Sequence, residues 1–156
     1  MNAGTENTIG HPMDVLIVAV PQTAGSSLYG MLEVLARAGT MWQALTREDP
    51  GEPVFRVRIV STRKRPFDCG NRIPVRPDTT ISENPAAPIV ILPELWLGPD
   101  DSLRGCHPEL IDWIRRRYRA GSAIYSACSG AILLAETGLL DGCQATSHWA
   151  YAELFE

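Results

Sequence analysis

The chain has 156 residues, 45% hydrophobic and 21% charged, with a formal net charge of −4 at pH 7. That length and apolar content support one buried core, so a single domain is expected, and the acidic balance argues against nucleic-acid binding by this segment alone. Residues 1–12 contain Glu6 but no Lys or Arg, and the apolar run at 15–20 is too short to span a bilayer, so neither a secretory signal nor membrane association is expected.

In chain order, residues 1–12 read as a disordered leader and 13–156 as the folded domain. Residues 14–20 form a continuous apolar strand ended by Pro21. A helix follows, with Thr23 or Ser26 as its cap, apolar positions at Leu28, Met31, Leu32, Leu35 and Ala36, and Gly39 as its stop. Residues 55–61 alternate as a strand with one solvated face, and 63–80, rich in Pro, Arg and Asp, read as a hairpin or loop excursion. Residues 88–93 are another apolar strand. Pro108 opens an amphipathic helix through Leu110, Ile111, Ile114 and Tyr118 that Gly121 ends. Apolar strands separated by helices imply an α/β fold, a doubly wound, mostly parallel sheet with helices on both faces.

Residues 122–135 read first as a short strand and then, without loop residues, as an apolar helix, with Cys128 at the junction. A side chain on so tight a turn stands above the sheet on strained backbone. Its sulfur is expected to face unpaired N–H groups of the following helix, which favour a thiolate. Ala127, Gly130 and Ala131 supply the small neighbours that such a turn requires. The other cysteines, Cys69, Cys106 and Cys143, form no C-x-x-C pair and are expected in the core as reduced thiols of a cytoplasmic protein.

The runs ACSGA at 127–131, LAETGLLDG at 134–142 and ATSHW at 145–149 resemble the ThiJ/PfpI superfamily, a branch of the class I glutamine amidotransferase-like, flavodoxin-like fold. Within it the chain is most similar to the amino-terminal domain of bacterial AraC-type transcription regulators. The resemblance is dense from 120 to 151. It implies a nucleophile position at Cys128 and a histidine position at His148, 20 residues on. The family's acid position falls on Ser27, which cannot act as an acid. Where catalytic members carry Pro-Gly-Gly, this chain has Pro93-Glu94-Leu95-Trp96. There Glu94 either opposes an oxyanion or replaces the missing acid, and a Leu95 N–H pointing inward is left open. Ser27, Glu94, Leu95, Ser129 and Trp149 are the expected ligand-pocket residues, with Trp96 as a further candidate. Family domains continue for tens of residues past the HW pair, and the regulators append two helix-turn-helix units, so the domain is expected to be incomplete at its C-terminus.

Two functions follow from the resemblance. One is a ligand-sensing and dimerising domain of an AraC-type regulator, binding a small metabolite without turnover as a homodimer. DNA would then be contacted through a helix-turn-helix region absent from this chain. The other is a cysteine-dependent enzyme: a hydratase, a glyoxalase-like lyase or an amidase. No cofactor is expected. No metal is expected either, because Cys143 and His148, with Cys106 and His107, have suitable atoms at unsuitable spacing. The Arg115–Arg117 run with Arg119 reads as a solvated helix face.

Overall fold

The computed structural model describes residues 11–47, 49, 51–98 and 101–152, so most of the expected leader lies outside the described residues. In chain order the elements are β1 (Met13–Val18), α1 (Gly25–Arg37), α2 (Met41–Thr46), β2 (Phe55–Ser61), β3 (Phe67–Cys69), β4 (Ile73–Val75) and β5 (Thr79–Thr80). Then come β6 (Ile89–Leu92), α3 (Pro108–Arg119), β7 (Ala123–Ser126), α4 (Gly130–Ala135) and a 3₁₀ turn at Trp149–Tyr151.

Five strands form one parallel sheet in the order β5-β2-β1-β6-β7. The chain starts in the middle and winds outward in both directions, which makes the expected doubly wound sheet. Its period of two divides the core. Leu16, Val18, Val60, Val90 and Leu92 face α3 and α4. Val15, Ile17, Ile59 and partly buried Ile89 and Ile91 face α1. Register between β1 and β2 is pinned where Asp14 sits opposite Arg56. The Arg56 guanidinium donates to both carboxylate oxygens at 2.6 Å, a fork-to-fork geometry that holds the Asp14 carboxyl below its usual range.

The helices depart from expectation at their ends. The N-cap of α1 is Ala24, without a side-chain cap. Thr23 Oγ1 turns back instead to accept from Val20 N, and Ala24 N donates to Glu94 O, so tertiary backbone pairing replaces the cap. Gly39 does follow the end of α1, with φ of +87° and Glu52 O 2.6 Å from where a Cβ would lie. The short helix α2 beyond it had no counterpart in the expected pattern. The 63–80 excursion resolves into the antiparallel hairpin β3–β4 and the two-residue strand β5. The arginines of α3 are not uniformly solvated. Arg115 Nε donates to Thr137 O at 2.8 Å and Arg117 Nη1 to Pro85 O at 3.3 Å, so both tie the helix to neighbouring loops. No helix of the described residues is long and apolar enough to cross a membrane.

Gly130, the first residue of α4, is where helix and sheet come closest: a Cβ there would fall on the carbonyl oxygens of Leu92 and Pro93. Backbone on both sides leaves no flexible atom to give way. Gly130→Ala should therefore cost about 2–3 kcal/mol of stability, read as a lower midpoint in urea unfolding. An unchanged midpoint would contradict this packing.

Candidate functional site

Cys128 lies on the turn between β7 and α4, with φ of +51°, in the left-handed region that a non-glycine residue occupies at a cost. Ala127 N extends the sheet ladder by donating to Leu92 O, and the chain then reverses into α4. The first helix amides are not open to the sulfur as expected. Gly130 N, Ala131 N and Ile132 N donate to the carbonyls of Ala127, Cys128 and Ser129 at 2.8, 3.2 and 3.0 Å. A turn this tight closes i to i−3 bonds on itself and spends those donors.

The exposed sulfur of Cys128 opens onto a cleft of about 430 Å³ shared with His148. Ser126, Thr146 and Ser147 add polar groups to its wall, and Leu134 and Leu140 an apolar edge. His148 Nδ1 accepts from Ala150 N at 3.2 Å, capping the 3₁₀ turn. A backbone N–H can only donate, so the neutral ring carries its proton on Nε2. The Trp149 and Tyr151 rings lie 5.5 and 5.7 Å from the His148 ring, and Tyr151 Oη donates to Leu97 O at 3.1 Å, anchoring the segment. The anchoring tyrosine was missed at the sequence level. Nothing in a local pattern signals a hydroxyl that reaches a loop 54 residues away.

The remaining expected pocket residues are placed differently from Cys128 and His148. Leu95 and Ser129 are both buried, and Ser129 Oγ accepts from Leu95 N at 2.9 Å while donating to Leu95 O at 2.7 Å. The Leu95 side chain lies in the core and does not crowd the cleft. Glu94 N donates to Ser27 Oγ at 3.4 Å, joining these two residues at the start of α1. Ala24 N to Glu94 O and Trp96 N to Gln22 O, at 2.8 and 2.7 Å, zip the loops after β1 and β6 together. Those loops border the crevice where strand order reverses, the usual ligand site of open parallel sheets. Backbone hydrogen bonds bridge the two loops there, and the cleft of Cys128 and His148 opens beside the elbow. Trp149 and Trp96 are exposed, and neither lines the cleft.

Of the cysteines expected in the core, only Cys69 is buried, and burial pushes its thiol up. Cys106 and Cys143 are exposed, on the loop before α3 and the loop after α4, where no apolar layer reaches them. Among the described residues no three His, Cys, Asp or Glu side chains gather as metal donors.

A DJ-1/PfpI family profile matches residues 13–155. The chain belongs to the DJ-1/PfpI family. Among curated relatives it is 39% identical over 56 residues to the HTH-type transcriptional regulator CdhR of Pseudomonas aeruginosa, spanning 36% of this chain and 17% of that protein. It is 29% identical over 105 residues to an isonitrile hydratase of Pseudomonas putida, spanning 65% of this chain and 43% of that one. The chain thus spans less than half the length of either relative. Among solved structures, a protein from Vibrio parahaemolyticus provisionally assigned as a transcriptional regulator has a TM-score of 0.69 at 26% identity, over 92% of this chain and 71% of that one. The oxidised DJ-1 of Toxoplasma gondii has the same TM-score at 19% identity, over 92% of this chain and 71% of that one, and shares the fold. The family assignment and the mostly parallel α/β sheet agree with the sequence-level reading.

His107, the N-cap residue of α3, is half-buried beside Gln22 Oε1 at 3.3 Å, and burial holds its imidazole below the usual range. The unfolded chain therefore takes up the proton first. Stability from this group is complete above the unfolded value of about 6.5 and is lost as pH falls through the window down to the lowered folded value. Melting temperatures between pH 7.5 and 5.5 should fall less steeply in His107→Gln than in the wild type. Identical slopes would show that His107 does not contribute.

Proposed function

We propose that this chain is the ligand-sensing and dimerising domain of an AraC-type transcription regulator, holding a small metabolite in the Cys128–His148 cleft without turning it over. DNA is then contacted by a helix-turn-helix region of a longer protein, outside the residues of this chain, in a bacterial cytoplasm. The similarity to CdhR and to the Vibrio parahaemolyticus protein supports the regulator class.

The observation that carries the reading is the state of the Leu95 amide. Acyl-type chemistry at a nucleophile elbow needs donors aimed at the developing oxyanion. In this chain the Leu95 N–H is bonded to Ser129 Oγ, and the Glu94 N–H is bonded to Ser27 Oγ. Ser27 stands where the family resemblance places the acid, and the acceptor nitrogen of His148 is engaged by Ala150 N. Binding needs none of these groups free. The cleft offers the serine and threonine groups of Ser126, Thr146 and Ser147 beside an apolar edge. A small polar metabolite with an apolar edge against Leu134 and Leu140 fits that lining.

A cysteine-dependent hydratase, glyoxalase-like lyase or amidase is the second reading. It is favoured by the likeness to the isonitrile hydratase and by the exposed Cys128 on its strained turn. Glyoxals, isonitriles and small amides separate the two. Turnover by the wild type should be undetectable above a Cys128→Ala control. A metabolite screen by thermal shift should find a compound that raises the melting temperature, with saturation at 100 times Kd contributing about 2.7 kcal/mol. Wild-type turnover that Cys128→Ala abolishes would overturn the sensor reading.

A further inference from the structure

We infer that the β3–β4 hairpin, with the arm leading into it, is a basic ribbon that rests on the phosphate backbone of duplex DNA flanking the regulator's binding site. The inference rests on the regulator reading proposed above and adds a DNA contact made by this domain itself. Acids outnumber bases 18 to 14 over the whole chain, yet residues 62–76 hold five bases, Arg63, Lys64, Arg65, Arg72 and Arg76, against one acid, Asp68. The charge is therefore segregated. All five bases are exposed, so a cationic surface stands out from an acidic domain.

The opposite face of the hairpin holds it in place. Cys69 and Val75 are buried in the core layer beneath α1, with Phe67 and Ile73 packed beside them. Gly70 N donates to Thr23 O at 2.9 Å and Tyr29 Oη to Pro74 O at 2.6 Å, which fastens the hairpin to α1 and the loop before it. Arg63 lies over the Phe67 ring at 4.6 Å, and Lys64 donates to Asp78 O and Glu83. Arg65, Arg72 and Arg76 are in no salt bridge among the described residues. Arg65 and Arg76 flank the open end of the paired strands, and Arg72 is at the tip. Four residues of strand separate the two ends, about 13 Å at about 3.3 Å each.

The tip supplies an independent observation. Asn71 and Arg72 both adopt left-handed backbone, with φ of +60° and +59°. Asparagine accepts that conformation, but the second such position of a hairpin turn favours glycine, and arginine holds it at a cost. No ion pair within the described chain offsets the cost. A phosphate does, because the planar guanidinium fork matches phosphate oxygens in pairs and never loses its charge. A regulator bound to its site already lies along a duplex, so these phosphates are present at high effective concentration. Contacts too weak to hold the acidic chain on DNA by themselves then still add affinity.

NMR titration of the ¹⁵N-labelled chain with a duplex of about 24 bp and arbitrary sequence tests the proposal. Amides of residues 62–76 should shift first, with a Kd of about 10⁻⁴ M at low salt. Three phosphate contacts predict a slope of about −2.7 for log K against log salt, and Arg65→Gln or Arg76→Gln should each remove about 0.9 of it. Arg72→Gly should remove as much and yet raise the melting temperature, since glycine takes left-handed backbone without strain. An arginine kept for the fold alone would not show that combination. If Arg72→Gly lowers the melting temperature, the two glutamine variants decide. No shift of these amides at about 1 mM duplex, or a slope that the substitutions leave unchanged, would overturn the ribbon. The ligand-sensing role, read by turnover and thermal shift, would stand. Poly-glutamate binding to the same amides more tightly than the duplex would overturn DNA as the partner and point to an acidic protein.

Discussion

One buried hydroxyl organises the site. Leu95 follows β6 in extended backbone, with its neighbours Glu94 and Trp96 bonded to the loop after β1, so its own N–H and C=O point the other way. Among the described residues no strand lies on that side to receive them. Ser129 Oγ acts as donor and acceptor at once and takes the place of a neighbouring peptide unit. Leaving both groups unpaired in so buried a position would cost several times what one hydrogen bond contributes net. The hydroxyl therefore fixes the distance between the elbow and the end of β6. Gly130 makes that distance achievable by presenting no side chain to Leu92 and Pro93.

The functional consequence follows from the same bond. An amide held by an internal hydroxyl is not a donor waiting for a substrate oxygen, and the loops at the strand-order reversal are bridged by backbone hydrogen bonds. At the flank of the elbow, Cys128 and His148 share a cleft with Ser126, Thr146 and Ser147. On the proposed reading, such a site recognises by shape and by a few hydrogen bonds, and Cys128 contacts the ligand without acting as a nucleophile.

Much of this was legible in the residues. The apolar runs at 14–20 and 88–93 located β1 and β6, and the alternation at 55–61 located β2, because strands buried on two faces or one write their burial directly into composition. The ACSGA run located the elbow, since few other residues tolerate its crowding. The roles of Ser129 and Leu95 were not legible. Both were expected to line the pocket, and their mutual hydrogen bonds depend on two segments 34 residues apart in sequence. The missed cap of α1 has the same origin, since Ala24 is held by Glu94 O from across the sheet end rather than by a side chain of its own turn. The exposure of Cys106 and Cys143 was misjudged because a cysteine's average burial carries no information about the loop on which it sits.

Amide hydrogen exchange at Leu95 tests the central claim most directly. If the Ser129 hydroxyl holds that N–H, the Leu95 amide should exchange slowly in the wild type and at least about tenfold faster in Ser129→Ala, while the Trp96 amide, bonded to Gln22 O, stays protected in both. A Leu95 amide that exchanges in the wild type as freely as an exposed loop amide would contradict the account, because the donor would then be open to a substrate.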